Sequence, residues 1–169
     1  MKGFHHRDPG LVGLLGADDA PFASVIADGV HSHPASLKIA HAAHPTGLLL
    51  VTDAMMAMGL DVGRYQLGTL DVDVTEEGSF RRAMVHDTSV LAGSVATMEE
   101  CVKKMRQYAH CSAVQALEAA SLRPAQVLGL CPGKGTLDFG ADADAVLLDD
   151  SLTVQATWVA GRLAWHRPQ

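Results

Sequence analysis

Two short apolar runs organise this chain. Ser24-Val25-Ile26-Ala27 leads into Asp28-Gly29-Val30-His31-Ser32-His33, and Leu48-Leu49-Leu50-Val51 leads into Thr52-Asp53-Ala54. The second run has no polar alternation and follows Pro45 and Gly47, so it reads as a strand buried on both faces, the habit of a parallel sheet covered by helices. Between the runs, Pro34 suits a first helical residue with Ser32 or His33 as its cap, and Leu37, Ala40, Ala43 and His44 recur at helical spacing until Pro45. Strand, helix and strand form a βαβ unit. A right-handed connection then sets the loop around His31 and the Asp53 strand end at one edge of a parallel sheet.

Downstream the period changes. Tyr65-Gln66-Leu67-Gly68 and Leu70-Asp71-Val72-Asp73-Val74 alternate, with Glu77-Gly78 as a turn before Ser79-Phe80, which predicts a small hairpin inserted near 64–82. Leu91-Ala92-Gly93-Ser94 is expected to open an amphipathic helix with Val95, Met98, Val102, Met105 and Ala109 on one stripe. Glu99 and Glu100 early and Lys103, Lys104 and Arg106 late suit the helix dipole and read as a solvated face. Ser112 with Gln115 makes a capping box for a second helix through Leu117 and Leu122, and Pro124 starts a third that ends near Gly129. From Gly133 the texture is β: Ala145 to Leu148 is an apolar run, and Val154 to Val159 and Leu163 to Trp165 flank Gly161-Arg162 as a hairpin. The expected division is therefore an α/β part over residues 1–132 and a small β element over 133–169.

Composition narrows the class. At 169 residues and 48% hydrophobic, the chain can bury a core of its own, as one domain or a domain with an appendage. A net charge of -6 argues against an extended nucleic-acid surface and leaves room for one cationic pocket that takes a phosphate. Cys101, Cys111 and Cys131 are odd in number and carry no CxxC spacing, so reduced thiols of a cytoplasmic protein are expected and a zinc site built on them is not. No apolar run approaches membrane-spanning length, and Met1 to Gly10 lacks the apolar core of a signal peptide. Neither membrane nor nucleic acid is an expected partner. The series Asp138, Asp142, Asp144, Asp149 and Asp150 lacks the spacing of a calcium loop and reads as turn and solvation residues.

Candidate chemistry sits where the apolar runs stop. In barrels of alternating strands and helices the active site is assembled at the C-terminal ends of the strands, so Asp53 stands in a functional position; the alternative is an aspartate that caps a loop or helix. Phe4-His5-His6-Arg7-Asp8-Pro9-Gly10 is aperiodic and dense in ionisable groups. Such a loop with no element before it suggests a strand upstream of residue 1.

The segments FHHRDPGLVG, IADGVHSHPASL, LLLVTDA, LAGS and KGTLDFGADAD, in that order, resemble the N-acetylglucosamine-6-phosphate deacetylase family of the amidohydrolase superfamily from Met1 to about Trp165. The resemblance implies the C-terminal part of a metal-dependent (β/α)8, TIM-like barrel with a small β-sandwich tail, the Asp53 strand being the eighth and the strand before His31 the seventh. It implies hydrolysis of the acetamide of N-acetylglucosamine 6-phosphate to glucosamine 6-phosphate and acetate. In that reaction a divalent metal activates a water, and Asp53 takes its proton and returns it to the departing amine. It assigns Arg7 to the sugar phosphate, Asp28, Gly29, Val30 and His31 to sugar or phosphate, and Leu91, Ala92 and Gly93 to backbone contacts with the ligand. The family's metal-binding Glu and two metal-binding His lie upstream of residue 1, and Met1 resembles the end of an Asn-Ala-Met motif, so no metal ligand is expected in this chain. His5, His6 and His33 are left with solvated or supporting roles. Two readings stay open: a deacetylase completed by residues outside this sequence, and a non-catalytic fragment that keeps part of a sugar-phosphate pocket or an oligomer surface. A homodimer is compatible with either.

Overall fold

The structure is a computed structural model that describes residues 3–78 and 80–168. Met1 and the Ser79 position of the predicted turn lie outside the described residues. A 3-10 helix over Gly10–Gly16 follows the N-terminal loop and leads to β1 (Ala23–Val25). Leu48, Leu49 and Leu50 form β2 (Leu48–Leu50), every residue buried, and it pairs with β1 in parallel, Ala23 with Leu48 and Val25 with Leu50. Each leucine so buried contributes about 1.5–3 kcal/mol. The connection is α1 (Pro34–Ala43), with Pro34 first and the His33 Nδ1 accepting from the Ala35 amide at 3.1 Å. Its buried stripe is Leu37, Ala40 and His41. The predicted stripe needs correcting at its end: His44 is the C-cap and Ala43 is exposed, because the positions one turn beyond Leu37 are 40 and 41.

Three helices cover the parallel pair. In α2 (Met98–Ala109), Thr97 accepts from the Glu100 amide while the Glu100 carboxylate accepts from the Thr97 amide. The helix therefore starts at Met98, not at Leu91-Ala92-Gly93-Ser94 as expected. Gly93 has φ +115 and the Ser94 hydroxyl accepts from the Ala96 amide, both incompatible with a continuous helix there. The predicted capping box opens α3 (Ala113–Ala120), and α4 (Leu122–Val127) starts two residues ahead of Pro124. Leu37, Leu48, Leu50, Cys101, Met105, Ala116 and Ala119 meet in the core so formed. At the base of β2, the Arg123 guanidinium, 4% exposed, donates to the Leu48 carbonyl at 2.9 Å and pairs with Glu118 at 3.3 Å. All three thiols are free, that of Cys101 buried and its pKa raised to about 11 by burial.

The inserted element is larger than the predicted hairpin. β3 (Gly63–Leu67), β4 (Leu70–Glu77) and β5 (Phe80–Val85) form an antiparallel sheet in that order. Val72, Val74 and Ala83 turn inward onto Ala57 and Val95, a second small core. The chain ends in another antiparallel sheet of β6 (Ala145–Leu148), β7 (Val154–Val159) and β8 (Arg162–His166). α2 holds this sheet through Glu99, which accepts from the Val154 amide at 2.9 Å, and Lys103, which reaches Glu99 and the Thr153 hydroxyl at 2.6 Å each. Lys103 is thus a tie and not part of a solvated face. The aspartate series does turn work: Asp149 accepts from the Ser151 and Thr153 amides, and Asp144 from the Ala160 amide.

The buried His41 makes stability depend on pH. Its Nδ1 has no hydrogen-bond partner among the described residues, and burial, reinforced by the charge of Arg123, holds its pKa below the ordinary 6.5. Below pH 6.5 the unfolded chain takes up a proton that the native state refuses. The stabilisation present above 6.5 is therefore lost as pH falls, by at most about 1.4 kcal/mol per pH unit for one group. Melting curves between pH 7.5 and 5.5 should show a falling midpoint that His41→Gln flattens; an unchanged slope in the variant would remove His41 as the cause.

Candidate active site

β1 and β2 leave their sheet side by side, the Val51 amide still donating to the Val25 carbonyl at 3.1 Å. Asp28 follows the last paired residue of β1, and Asp53 the last of β2, by the same three positions. Both strand-end carboxylates thus lie at one edge of the parallel pair. Asp53 has φ +47, a left-handed conformation that aspartate tolerates better than most residues, and its side chain is exposed. Main chain fixes its place. The Ser94 amide donates to the Asp53 carbonyl at 3.1 Å and the Met55 amide to the Ser94 carbonyl at 2.8 Å. Gly93 takes the φ this approach needs, and a Cβ there would stand 3.4 Å from the Met55 Cβ. On its other side the same loop is stitched to β5: Leu91 pairs with Met84, and the Ala92 amide donates to the Ala83 carbonyl at 2.8 Å. The Ala92 amide is consequently spent inside the protein.

The loop after β1 is built on a buried carboxylate. Asp28, 4% exposed, accepts from the Val30 amide at 2.9 Å and the His31 amide at 2.8 Å, and its other oxygen lies 2.6 Å from the His31 Nδ1. Burial pushes the Asp28 carboxyl up, but the His31 side chain and the His31 and Val30 amides outweigh it and hold the group below its ordinary value. Facing an ionised carboxylate, Nδ1 carries the proton, and Nε2 is left as the ring nitrogen for another partner. Asp28, grouped with the ligand contacts on sequence grounds, turns its carboxylate inward to hold His31. Gly29 has φ +75, and a Cβ there would fall 2.8 Å from the Phe80 ring and 3.1 Å from the Tyr108 hydroxyl. Only glycine fits without moving those rings.

Lys104 completes this wall, contrary to its reading as solvated. Its ammonium donates to the Asp28 carbonyl at 2.8 Å and lies 5.3 Å from the centre of the Phe80 ring. Together with Asp28, Glu76, Arg81, Ala96 and Glu100 it lines a polar cavity of about 230 Å³ behind the loop. Sequence spacing missed this role, although Cys101, Lys104 and Tyr108 share one helical stripe. A larger, mostly apolar cavity of about 880 Å³ lies between the helices and the C-terminal sheet, bordered by Val102, Leu117, Leu128, Val146 and Leu148, and contains none of the predicted site residues.

Arg7 stands apart in an exposed loop whose hydrogen bonds are local, its amide donating to the His5 Nδ1 at 3.3 Å. The His5 and His6 rings lie 4.4 Å apart in that loop, and His33 is occupied as the cap of α1. Among the described residues no group of three His, Cys, Asp or Glu side chains could hold a metal ion. The donor set of the described residues does not by itself fit a divalent metal. No helix among the described residues is long and apolar enough to cross a membrane.

The sequence matches the amidohydrolase family over residues 6–164. The chain belongs to the amidohydrolase family. It is similar to N-acetylglucosamine-6-phosphate deacetylase of Homo sapiens, 56% identical over 171 residues, and to that of Danio rerio, 53% identical over 172 residues. These alignments take in 98% and 99% of this chain but 41% and 42% of the relatives, so the chain spans about two fifths of their length. Among solved structures, N-acetylglucosamine-6-phosphate deacetylase from Thermotoga maritima superposes with a TM-score of 0.86 at 33% identity, over 98% of this chain and 44% of that one. A mutant of the Mycobacterium smegmatis enzyme in complex with N-acetyl-D-glucosamine-6-phosphate gives 0.84 at 36% identity, over 96% and 42%.

Proposed function

We propose that these residues form the C-terminal part of a deacetylase that hydrolyses N-acetylglucosamine 6-phosphate to glucosamine 6-phosphate and acetate. The observation that carries this reading is the equal offset of Asp28 and Asp53 beyond one parallel register, with Asp53 held by main chain and His31 held by Asp28. Asp53 is the proton-transfer residue: its exposed carboxylate takes a proton from the attacking water and delivers it to the departing amine. His31, Gly29 and Val30 receive the sugar or its phosphate, Gly93 with its neighbours Leu91 and Ala92 shapes the opposite wall, and Arg7 takes the phosphate, where a fork of donors matches the oxygens. A divalent metal belongs to this reading as an activator of water, its ligands supplied by residues outside this chain. We further read residues 1–132 as the last strands and helices of a (β/α)8 barrel and 133–169 as a share of a small β-sandwich, whose remaining strands would cover the apolar cavity beside β6 and β7. The proposed location is the cytoplasm, and the proposed ligand class is a small sugar phosphate.

Acetate release from N-acetylglucosamine 6-phosphate by the full-length protein tests the activity directly. Within it, Arg7→Ala should weaken binding of the 6-phosphate by about 10- to 100-fold, the worth of a charge-assisted pair, while barely changing that of the unphosphorylated sugar. Equal weakening of both ligands would remove Arg7 from the phosphate.

A further inference from the structure

We propose that Lys104 is a positioning residue for the loop Asp28–His31, acting from α2 through the Asp28 carbonyl and the Phe80 ring. The loop follows β1 with no regular structure of its own until α1, and its left-handed turn at Gly29 lets Phe80 and Tyr108 press against the backbone. Close packing there limits movement of the loop backbone. The ammonium of Lys104 adds a bond to the same segment, holding the Asp28 carbonyl at 2.8 Å while Phe80 of the inserted sheet lies 5.3 Å from it at its ring centre. Cys101, Lys104 and Tyr108 fall on one stripe of α2, so a rigid helix grips the backbone of the loop from outside the site. Since Asp28 spends its carboxylate on His31 and on the amides of Val30 and His31, a shift of the Asp28 backbone carries the imidazole with it. Lys104 thereby sets where His31 Nε2 stands.

This rests on the reading of the 28–31 loop as ligand-binding, and the experiment keeps the two apart. In the full-length protein, KM and kcat for N-acetylglucosamine 6-phosphate, calorimetric affinity for glucosamine 6-phosphate and melting midpoint are measured for Lys104→Met, Lys104→Arg, Phe80→Leu and His31→Asn. His31→Asn tests the loop: unchanged affinity and KM would overturn the loop's role and the positioning role with it. With that role upheld, Lys104→Met should raise KM and weaken product binding about tenfold with kcat nearly retained, because Asp53 is held separately by Ser94. Lys104→Arg, which keeps a donor and a cation over the ring, should recover most of the affinity. Phe80→Leu keeps bulk against Gly29 but loses the ring face, and should give a smaller rise in KM; it also serves if Lys104→Met does not fold. A lowered melting midpoint with unchanged KM and affinity, or a loss confined to kcat, would overturn the proposal.

Discussion

Asp53→Asn in the full-length protein should bind glucosamine 6-phosphate as the parent does and lose roughly 10²- to 10⁴-fold in kcat, the usual worth of a positioned proton-transfer group. Asparagine is the informative replacement because the backbone at position 53 is left-handed, with φ +47, and asparagine shares aspartate's tolerance of that region. The links from the Ser94 amide to the residue-53 carbonyl and from the Met55 amide to Ser94 involve main chain alone and survive the change. What disappears is a carboxylate able to accept and return a proton. Steady-state acetate release and calorimetry with the product decide the matter, and turnover near the parent's would return Asp53 to the role of a loop residue.

The second large effect concerns residues 1–169 expressed alone, which should release no acetate and fold only marginally. Among the described residues the parallel sheet has two strands, whereas parallel sheets are stable when further strands and helices cover them. Leu11, Phe22, Ile39, Met56, Leu137 and Phe139 are exposed, Phe139 completely, which leaves much apolar surface in water. Asp53 would face water without a metal held by this segment, since the described residues contain no set of three metal-binding side chains. Joining the upstream residues should restore both folding and turnover. Hydrogen exchange supplies the structural arm: cooperative protection of the Leu48 to Leu50 amides in the isolated monomer would contradict the folding half. Asp53-dependent acetate release from it with added zinc, cobalt or manganese would place a metal site among His5, His6, His31 and His33.

The part of the fold that sequence disclosed is the part where one residue type permits one arrangement. Three consecutive leucines must be covered on both faces, so β2 and the polarity of its ends were legible, and Thr97 apart, the capping residues His33 and Ser112 marked their helices. The Leu91 segment misled because Leu91, Val95 and Met98 satisfy helical spacing, while the left-handed turn at Gly93 and the backbone ladder to Asp53 depend on a partner strand far away in sequence. β5 was half hidden, since Arg81 and Arg82 interrupt its alternation and Ala83 is its single buried residue. Charged side chains were the hardest to place. Lys103 and Lys104 read as solvated cations in sequence, and only the fold turns them onto Thr153 and Asp28, as it turns Arg123, which carried no sequence signal, onto Leu48. For the site, Asp53 and His31 stood out by position, whereas the inward turn of the Asp28 carboxylate followed from the histidine three residues on and was not anticipated.

The bond from Arg123 to the Leu48 carbonyl spans 75 residues and sets a clock on synthesis. At roughly 5–20 residues per second, a ribosome delivers Arg123 about 4–15 s after Leu48. During that interval the nascent chain carries an all-apolar strand whose basal carbonyl lacks its Arg123 donor, and until residue 109 is made, a helix α1 without α2 to pack upon. The strand that leads to Asp53 is therefore complete in its hydrogen bonding only once α4 has been made.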